Sequence, residues 1–325
     1  MPAPPSTTTG PSIEAAIAAL ARGEVVGLPT ETVYGLAGDA ANPDAVRRIF
    51  ALKGRPADHP VIVHLGDASW LDQWARDIPA TARRLAERFW PGPLTLILRR
   101  AATVSELVTG GQDTVGLRMP AHPVALAVLR GFGRALAAPS ANRFGHLSPT
   151  LAEHVRAEFG ADLPLVLDGG PCDIGIESTI VDLSNERPRV LRPGKIPIES
   201  LADLLDTPVA AGEAASGPRV PGSLRSHYAP RACAELVTRE GFGARLARAH
   251  EEHETVAVLA IGELPVAAEG LALPAAPDAY ARGLYGALRA LDADGVQRIL
   301  IEAPPSSIAW LAIRDRLQRA TAGAR

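Results

Sequence analysis

The chain has 325 residues, which corresponds to about two domains, since domains usually contain roughly 100 to 200 residues each. Hydrophobic residues make up 47% of it and charged residues 21%, proportions typical of a soluble globular protein. The formal net charge of -3 excludes a general attraction to nucleic acid or to acidic membranes, so any anion-binding site must be local.

The beginning of the chain and its cysteines bear on location. Residues 1–11 contain neither the basic start nor the apolar core of a signal peptide, and we expect them to form a disordered leader. No apolar run approaches the roughly 20 residues that a membrane-spanning helix needs. Cys172 and Cys233 form no C-x-x-C motif, which argues against a disulfide framework and against a structural zinc site. We therefore expect a reducing, cytoplasmic location.

Residues 12–206 are expected to form one unit that mixes helices and strands. Ser12 is placed to cap a helix that runs to about residue 21, and Asn42 to cap a second helix that stops at Gly54. Further helices are predicted at 80–89, 123–129, 151–159 and 198–205, the third of them with a capping box of Thr150 and Glu153. Strands are predicted at 25–28, 61–65, 94–98, 115–117, 135–138, 165–167, 179–183 and 190–191. Because the later strands follow one another directly, we expect an α/β fold of α+β character with a mixed, twisted sheet.

The rest of the chain is expected to form a linker and a second, smaller domain. Residues 207–232 are rich in Gly, Ala, Ser and Pro and predict a linker or lid. In residues 233–325, strand-like runs at 234–237, 256–261 and 299–301 alternate with helical patterns at 242–250, 280–291 and 308–317. That alternation predicts a small Rossmann-like α/β domain with a parallel sheet.

Four polar segments follow the ends of predicted strands, where the ligand sites of open sheets usually form. The first is PTETVYGL (residues 29–36), which is followed by KGRP (53–56), His59 and His64. The others are TVGLRMP (114–120), APSAN with SPT (138–142 and 148–150), and GIESTIVD with LRPG (175–182 and 191–194). Their hydroxyls, cations and imidazoles suit an anionic, phosphate-bearing ligand, although each segment taken singly could be a structural turn.

Other catalytic motifs are weak or absent in the sequence. No G-x-x-x-x-G-K-[ST] phosphate loop occurs, and Ser140 does not lie in a G-x-S-x-G elbow. The HEEH segment at 250–253 lacks further ligands and lies at the end of a charged helix. We therefore predict no metal site held by the protein itself.

The motifs PTETVYGL, KGRP, PSAN and ESTIVDL occur in the order and spacing of a known family. They resemble the YrdC-like domain of threonylcarbamoyl-AMP synthases, over residues 12 to about 205. The later Pro221-Gly222 pair and the SHYAP segment (226–230), with the small domain after them, resemble the long, two-domain form of that family. The resemblance implies a YrdC-like fold and a nucleotidyltransferase that performs the first step of N6-threonylcarbamoyladenosine modification in transfer RNAs reading ANN codons.

The resemblance also implies the reaction and its reactants. The amine of L-threonine captures carbon dioxide from bicarbonate, and the resulting carbamate attacks the α-phosphate of ATP and expels pyrophosphate. ATP is a substrate whose Mg²⁺ is carried by the nucleotide, and the product, L-threonylcarbamoyladenylate, is expected to pass to a threonylcarbamoyl transferase complex. Neither stable nucleic-acid binding nor a membrane partner is expected.

Matched position by position, the family's site residues fall on the four segments and on the linker. Lys53 and Arg55 are expected to be catalytic, with Lys53 adding positive charge near the phosphates. The expected L-threonine ligands are Thr32, His64, Arg118, Ala138 and Ser178. The expected ATP ligands are Arg55, His59, Thr114, Ser140, Ser148, Arg192 and Tyr228. His59 stands where some family members carry Asn, and Tyr228 can take part only if the linker folds back over the cleft as a lid.

Each of these side chains also has a structural interpretation. His64 could be a satisfied strand histidine, Arg118 a surface ion pair and Arg192 a strand-end cation. The hydroxyls could belong to turns or helix caps. Structural hydrogen bonds are the expected role of Glu31, Asn142 and Glu177.

Two other function classes compete with the synthase. An RNA-binding module would use the same cations, but the aromatic content of 4% leaves few stacking platforms. A carbamoyltransferase that uses carbamoyl phosphate would also contain a YrdC-like domain, but it would show zinc-finger cysteine pairs that this chain lacks. The second domain is expected to have a regulatory, lid-positioning or partner-docking role.

Overall fold

The computed structural model describes residues 11–212, 217–222, 227–265, 268–292 and 295–323. These residues form two sheets that follow one another along the chain. The expected leader, residues 1–11, lies outside the described residues except for Pro11. Within the described ranges, no helix is both long enough and apolar enough to cross a membrane.

The first sheet mixes parallel and antiparallel pairs. Its strands in the described part of the chain are β1 (Val26–Leu28), β2 (Gly35–Asp39), β3 (Ile62–His64), β4 (Leu94–Arg99), β5 (Thr114–Arg118), β6 (Leu136–Ala137), β7 (Thr179–Asp182), β8 (Arg189–Arg192) and β9 (Ala210–Ala211). They lie in the order β1-β2-β6-β3-β5-β4-β7-β8-β9. Strand β3 is parallel to β5 and β4 to β7, whereas β4 and β5 are antiparallel. The prediction of a mixed sheet is confirmed.

Helices pack against this sheet through their apolar faces. They are α1 (Ile13–Ala21), α2 (Pro43–Lys53), α3 (Leu71–Trp74), α4 (Ala80–Phe89), α5 (Glu106–Thr109), α6 (Pro123–Phe132), α7 (Ala152–Phe159) and α8 (Ile198–Leu205). Helix α2 begins and ends as predicted, because Asn42 accepts hydrogen bonds from the first turn and Gly54 has the left-handed φ of 61°. The end of α2 therefore places Lys53, and Arg55 just after it, near the candidate functional site.

Two local predictions are wrong. Residues 165–167 form no strand, and Val166 makes only an isolated bridge to Gly27. Val166 and Leu167 are buried in the core and Leu165 is partly buried against it, which accounts for the apolar run. The capping box of Thr150 and Glu153 is also absent. Helix α7 begins one residue later than predicted, with Leu151 as its N-cap and no side-chain cap, so Glu153 lies one position too early to complete the box.

The second sheet is parallel throughout its described strands, as predicted. Its strands are β10 (Cys233–Val237), β11 (Val256–Ile261), β12 (Gly270–Leu273) and β13 (Arg298–Glu302), in the order β10-β13-β11-β12. Its helices are α9 (Phe242–Glu251), α10 (Pro277–Leu291) and α11 (Leu311–Thr321). A single core joins α10 and α11 to these strands and reaches Val33 and Ile176 of the first unit.

Helix α10 lies very close to the first unit. Gly175, with φ 82°, leaves so little room that a Cβ atom there would lie 2.5 Å from Cα of Arg282. Across the same boundary Lys195 and Asp278 form an ion pair at 2.6 Å. The second domain is therefore packed directly against the loop that leads into β7.

Candidate functional site

A cavity lies where strand ends of the first sheet meet the segment that joins the two domains. We call that segment the strap (residues 217–222 and 227–232). The cavity occupies about 560 Å³ including its open mouth. Among the predicted site residues, those that line it are Thr32, Arg55, His64, Arg118, Ala138, Ser140, Ser178, Arg192 and Tyr228. Residues from four separate sequence segments and from the strap therefore meet at one place.

The parallel pairing of β3 and β5 places His64 beside Arg118. Arg118 is 4% exposed and donates from Nη1 to Thr32 Oγ1 at 2.8 Å and from Nη2 to Glu31 Oε1 at 2.7 Å. The surface-ion-pair interpretation of Arg118 is thus wrong, because the pair is buried. Burial, assisted by the Arg118 charge, lowers the pKa of His64 to about 3, so its ring is neutral. The Nδ1 atom of His64 is buried and has no hydrogen-bond partner among the described residues.

Ser178 and Arg192 form a second group beside the first. Arg192 lies at the end of β8 and donates from Nε and Nη2 to the carbonyl of Ser178 at 3.1 and 3.0 Å. Its Nη2 also donates to Ser178 Oγ at 3.1 Å, and its Nη1 donates to the carbonyl of Pro221 in the strap at 2.9 Å. Burial lowers the pKa of Arg192. The guanidinium therefore fixes both the start of β7 and the strap.

The two predicted catalytic cations differ in their placement. Arg55 lines the cavity and donates to the carbonyl of Pro60 at 2.7 Å. Burial lowers the pKa of Arg55 to about 10. Lys53 does not line the cavity; its Nζ donates to the carbonyls of Ser140 and Asn142 at 2.5 and 2.6 Å. Burial, with the nearby Arg55 charge, lowers the pKa of Lys53 well below its usual value.

Three other predicted residues lie outside the cavity lining. His59 packs against Phe144 in a T-shaped arrangement, with ring centroids 5.3 Å apart. Thr114 opens β5, which puts it about 13 Å along the strand from Arg118. Ser148 is fully buried and donates to Glu177 Oε1 at 2.5 Å.

Tyr228 reaches the cavity from the strap. It is 2% exposed and has the left-handed φ of 60°, which is uncommon for a residue other than glycine. The next residue, Ala229, donates its amide to the carbonyl of Gly145 at 3.0 Å and so ties the strap to the first domain. Gly222 makes room for the ring, because a Cβ atom there would lie 1.9 Å from the Tyr228 hydroxyl.

The sequence prediction missed two residues that approach the site from the second domain. Arg316 of α11 is 1% exposed; its Nε donates to Glu177 Oε2 at 2.7 Å, and its guanidinium carbon lies 5.3 Å from the centre of the Tyr228 ring. Tyr285 of α10 donates to both Glu177 oxygens at 3.2 and 3.1 Å. Burial opposes the ionisation of Glu177, but Arg316 and Arg192 outweigh it and lower the pKa to about 2.

A sequence signal for Arg316 did exist. It shares the buried face of α11 with Ala312, Ile313 and Leu317, at helical spacing. A charged residue on an apolar face needs a buried partner, so the pattern predicts an ion pair although it does not name Glu177.

Two family models match successive parts of the chain. A family model described as "Telomere recombination" (Sua5, YciO and YrdC) matches residues 18–194, and a model described as the threonylcarbamoyl-AMP synthase C-terminal domain matches residues 196–322. The threonylcarbamoyl-AMP synthase of Pyrococcus abyssi is 40% identical over 311 residues, which cover 92% of this chain and 91% of the relative. That of Bacillus subtilis is 40% identical over 331 residues, which cover 98% and 95%.

A solved structure is also similar. The crystal structure of P. abyssi Sua5 complexed with L-threonine matches with a TM-score of 0.89 at 39% identity and covers 95% of this chain and 94% of that one. At this coverage the likeness extends over both domains.

Proposed function

The chain belongs to the family whose curated members are named threonylcarbamoyl-AMP synthase, and we propose that it makes L-threonylcarbamoyladenylate from L-threonine, bicarbonate or carbon dioxide, and ATP, with release of pyrophosphate. The observation that carries this proposal is that Arg118, Arg55 and Arg192 all line one cavity. Such a cavity can hold a small carboxylate next to a polyphosphate. The product would serve transfer RNA modification through a separate transferase complex.

The threonine half of the site would be built around Arg118. Its Nη1 and Nη2 atoms each use one hydrogen in the hydrogen bonds to Thr32 and Glu31, which leaves an N–H on each for the substrate carboxylate. A bidentate carboxylate contact of this kind fixes orientation as well as position. Neutral His64 and the Ser178 hydroxyl would contact the polar groups of threonine, and Ala138 would offer a backbone contact beside the small apolar side chain.

The nucleotide half would use the cations near the strap. Arg55, Ser140, Arg192 and Tyr228 line the cavity, and His59, Thr114 and Ser148 would contact more distant parts of the nucleotide or position those that do. Lys53 would act by holding the backbone of the loop that carries Ser140. Fixed donors aimed at the α-phosphate would stabilise the charge that builds up as the carbamate attacks and pyrophosphate leaves.

Magnesium would arrive with the nucleotide. Glu177 is the carboxylate among the described lining residues, and it is already bound by Arg316, Tyr285 and Ser148. The donor set of the cavity therefore fits phosphates better than it fits a metal ion held by the protein. Bound Mg²⁺ would supply charge compensation on the phosphates.

The strap would act as a lid. Tyr228 lines the cavity from the strap, so a shift of the strap would open the cavity to a nucleotide. Closure over the bound reactants would exclude water from the labile carbamate. Because Arg316 and Tyr285 hold Glu177 beside Tyr228, the second domain would set the resting position of this lid.

One assay tests the proposal: pyrophosphate release measured with ATP, magnesium, L-threonine and bicarbonate. We expect release to stop when threonine or bicarbonate is omitted. An RNA-binding protein would show none, and a carbamoyltransferase would instead need carbamoyl phosphate. Arg118→Lys should lower kcat/KM for threonine about 10- to 100-fold because the fork geometry is lost. Arg134→Lys is the matched control, since the Arg134 side chain is 52% exposed.

A further inference from the structure

Thr95 touches the predicted threonine site from inside the sheet. It lies on β4, is 0% exposed, and its Oγ1 is 2.8 Å from Ser178 Oγ. Alternation along β4 puts Thr95 on the same face as Ile97, whose neighbours in a small apolar cluster include Ile180 and Leu191. A hydroxyl in such surroundings must find its partner locally.

The direction of the hydrogen bond follows from counting protons. Arg192 can only donate, so Ser178 Oγ accepts its hydrogen bond at 3.1 Å. Among the described residues, Ser178 Oγ is the hydrogen-bond partner of the Thr95 hydroxyl. If Ser178 donated to Thr95, the Thr95 proton would be left buried without an acceptor, which is costly. Thr95 therefore donates, and Ser178 accepts twice.

We propose that Thr95 is a positioning residue that commits the Ser178 proton to an anionic oxygen of the amino-acid substrate, either its carboxylate or the carbamate formed from it. Both lone pairs of Ser178 Oγ are occupied, and its remaining proton is available to the cavity that Ser178 lines. The adjacent Arg192 cation favours an anionic acceptor there. This inference rests on the proposed function, because it takes a threonine-derived anion as the ligand.

The test combines equilibrium binding of L-threonine with pyrophosphate-release kinetics on the full chain. Thr95→Val keeps the shape of the side chain but removes the donor, and it should weaken threonine binding or raise KM about 5- to 10-fold. Thr95→Ser restores the donor and should lie within about twofold of wild type. Thr109→Val is the matched control, because Thr109 is also 0% exposed but lies on α5 and bonds within its own helix.

The decisive measurement is a double-mutant cycle with Ser178→Ala. We expect Thr95→Val to add almost nothing in the Ser178→Ala background, since both changes remove the same oriented proton. Additive effects, failure of Thr95→Ser to rescue, or an unchanged Thr95→Val would each overturn the inference. If Thr95→Val does not fold, Thr95→Ala takes its place, because it also removes the donor.

The measurements distinguish the substrate carboxylate from the carbamate, and they test the proposed function separately from the role of Thr95. A loss seen with threonine alone assigns the proton to the carboxylate, whereas a loss seen only when bicarbonate is present assigns it to the carbamate. Failure of the wild-type chain to bind threonine would refute the proposed function. Normal wild-type binding with an unaffected Thr95→Val would refute the inference alone.

Discussion

The buried ion pair between Arg316 and Glu177 offers the sharpest test of the link between the two domains. The two side chains are 1% and 7% exposed, and their closest atoms are 2.7 Å apart. Arg316→Met keeps most of the side-chain volume but leaves Glu177 with the hydroxyls of Tyr285 and Ser148 as its remaining described partners. Arg192 remains near Glu177, but a buried carboxylate that has lost its ion-pair partner should destabilise the folded chain.

Two estimates of the magnitude agree. Removing one member of a buried pair typically costs about 3 to 5 kcal/mol. The pKa of Glu177 also falls from 4.5 to about 2, and this shift, to which Arg316, Arg192 and Ser148 all contribute, corresponds to stabilisation on the order of 3 kcal/mol at neutral pH. Because the folded pKa lies below the unfolded one, this stabilisation is present above about pH 4.5 and is lost as the pH falls towards 2.

Denaturant unfolding of the wild type and of Arg316→Met at several pH values measures the effect. We expect the gap between their free energies of unfolding to be widest above pH 5 and to narrow in acid. Arg248→Met is the matched control, because Arg248 also pairs with a glutamate at 2.8 Å but is 70% exposed. The denaturation midpoint of this variant should barely differ from that of the wild type. KM for ATP should rise in Arg316→Met because Tyr228 loses the cation above its ring. A gap below about 1 kcal/mol at pH 7, or one independent of pH, would refute the reasoning.

Three further predictions concern the cavity itself. Gly222→Ala should displace the Tyr228 ring, since the new Cβ would lie 1.9 Å from the Tyr228 hydroxyl. We expect this variant to raise KM for ATP about 10-fold. Gly212→Ala should leave KM for ATP unchanged, because Gly212 has φ 95° but no atom lies within 4 Å of the added Cβ. Lys53→Met removes the ammonium that donates to the carbonyls of Ser140 and Asn142, and it should lower the rate of pyrophosphate release about 100-fold. The melting temperature of the variant is measured as well, to separate a loss of rate from a loss of stability. Burial lowers the pKa of His64 from 6.5 to about 3. Between these two pH values the imidazole is protonated in the unfolded chain but not in the folded chain. The free energy of unfolding should therefore fall as the pH drops through that range. His64→Gln should therefore flatten the pH dependence of unfolding between pH 7 and 5, and equal slopes would contradict the buried neutral ring.

The fold was predictable where local signals agreed with one another. Helix α2 carries a cap at Asn42, an apolar face and Gly54 at its end, and each of these signals points to the same boundaries. Strand β2 was missed because its sequence, GLAGD, contains small residues and no alternation, and only its pairing with β1 and β6 makes it a strand. Strand β12, with the sequence GLAL, was missed for the same reason.

The site was predictable only as far as its motifs extend. Thr32, His64 and Arg118 lie in segments whose chemistry is visible in sequence, and the chain brings them together through the parallel pairing of β3 and β5. The buried partner of Arg316 was not visible, because 139 positions separate Arg316 from Glu177 along the chain. Glu177 was expected to form structural hydrogen bonds, and it does, but with partners from both domains.

The electrostatics of the cavity argue for an anionic ligand independently of any family likeness. Arg118 pairs with Glu31, but the acceptors that hold Arg55 and Arg192 are mainly backbone carbonyls: Pro60 for Arg55, and Ser178 and Pro221 for Arg192. Carbonyls orient a guanidinium but do not neutralise it, so burial lowers the pKa of both groups, to about 10 for Arg55. A bound polyphosphate would compensate the buried positive charge of Arg55 and Arg192, and this compensation would contribute to its binding free energy. A chain of net charge -3 can thus bind a highly charged nucleotide, because Arg55 and Arg192 place buried positive charge at this cavity.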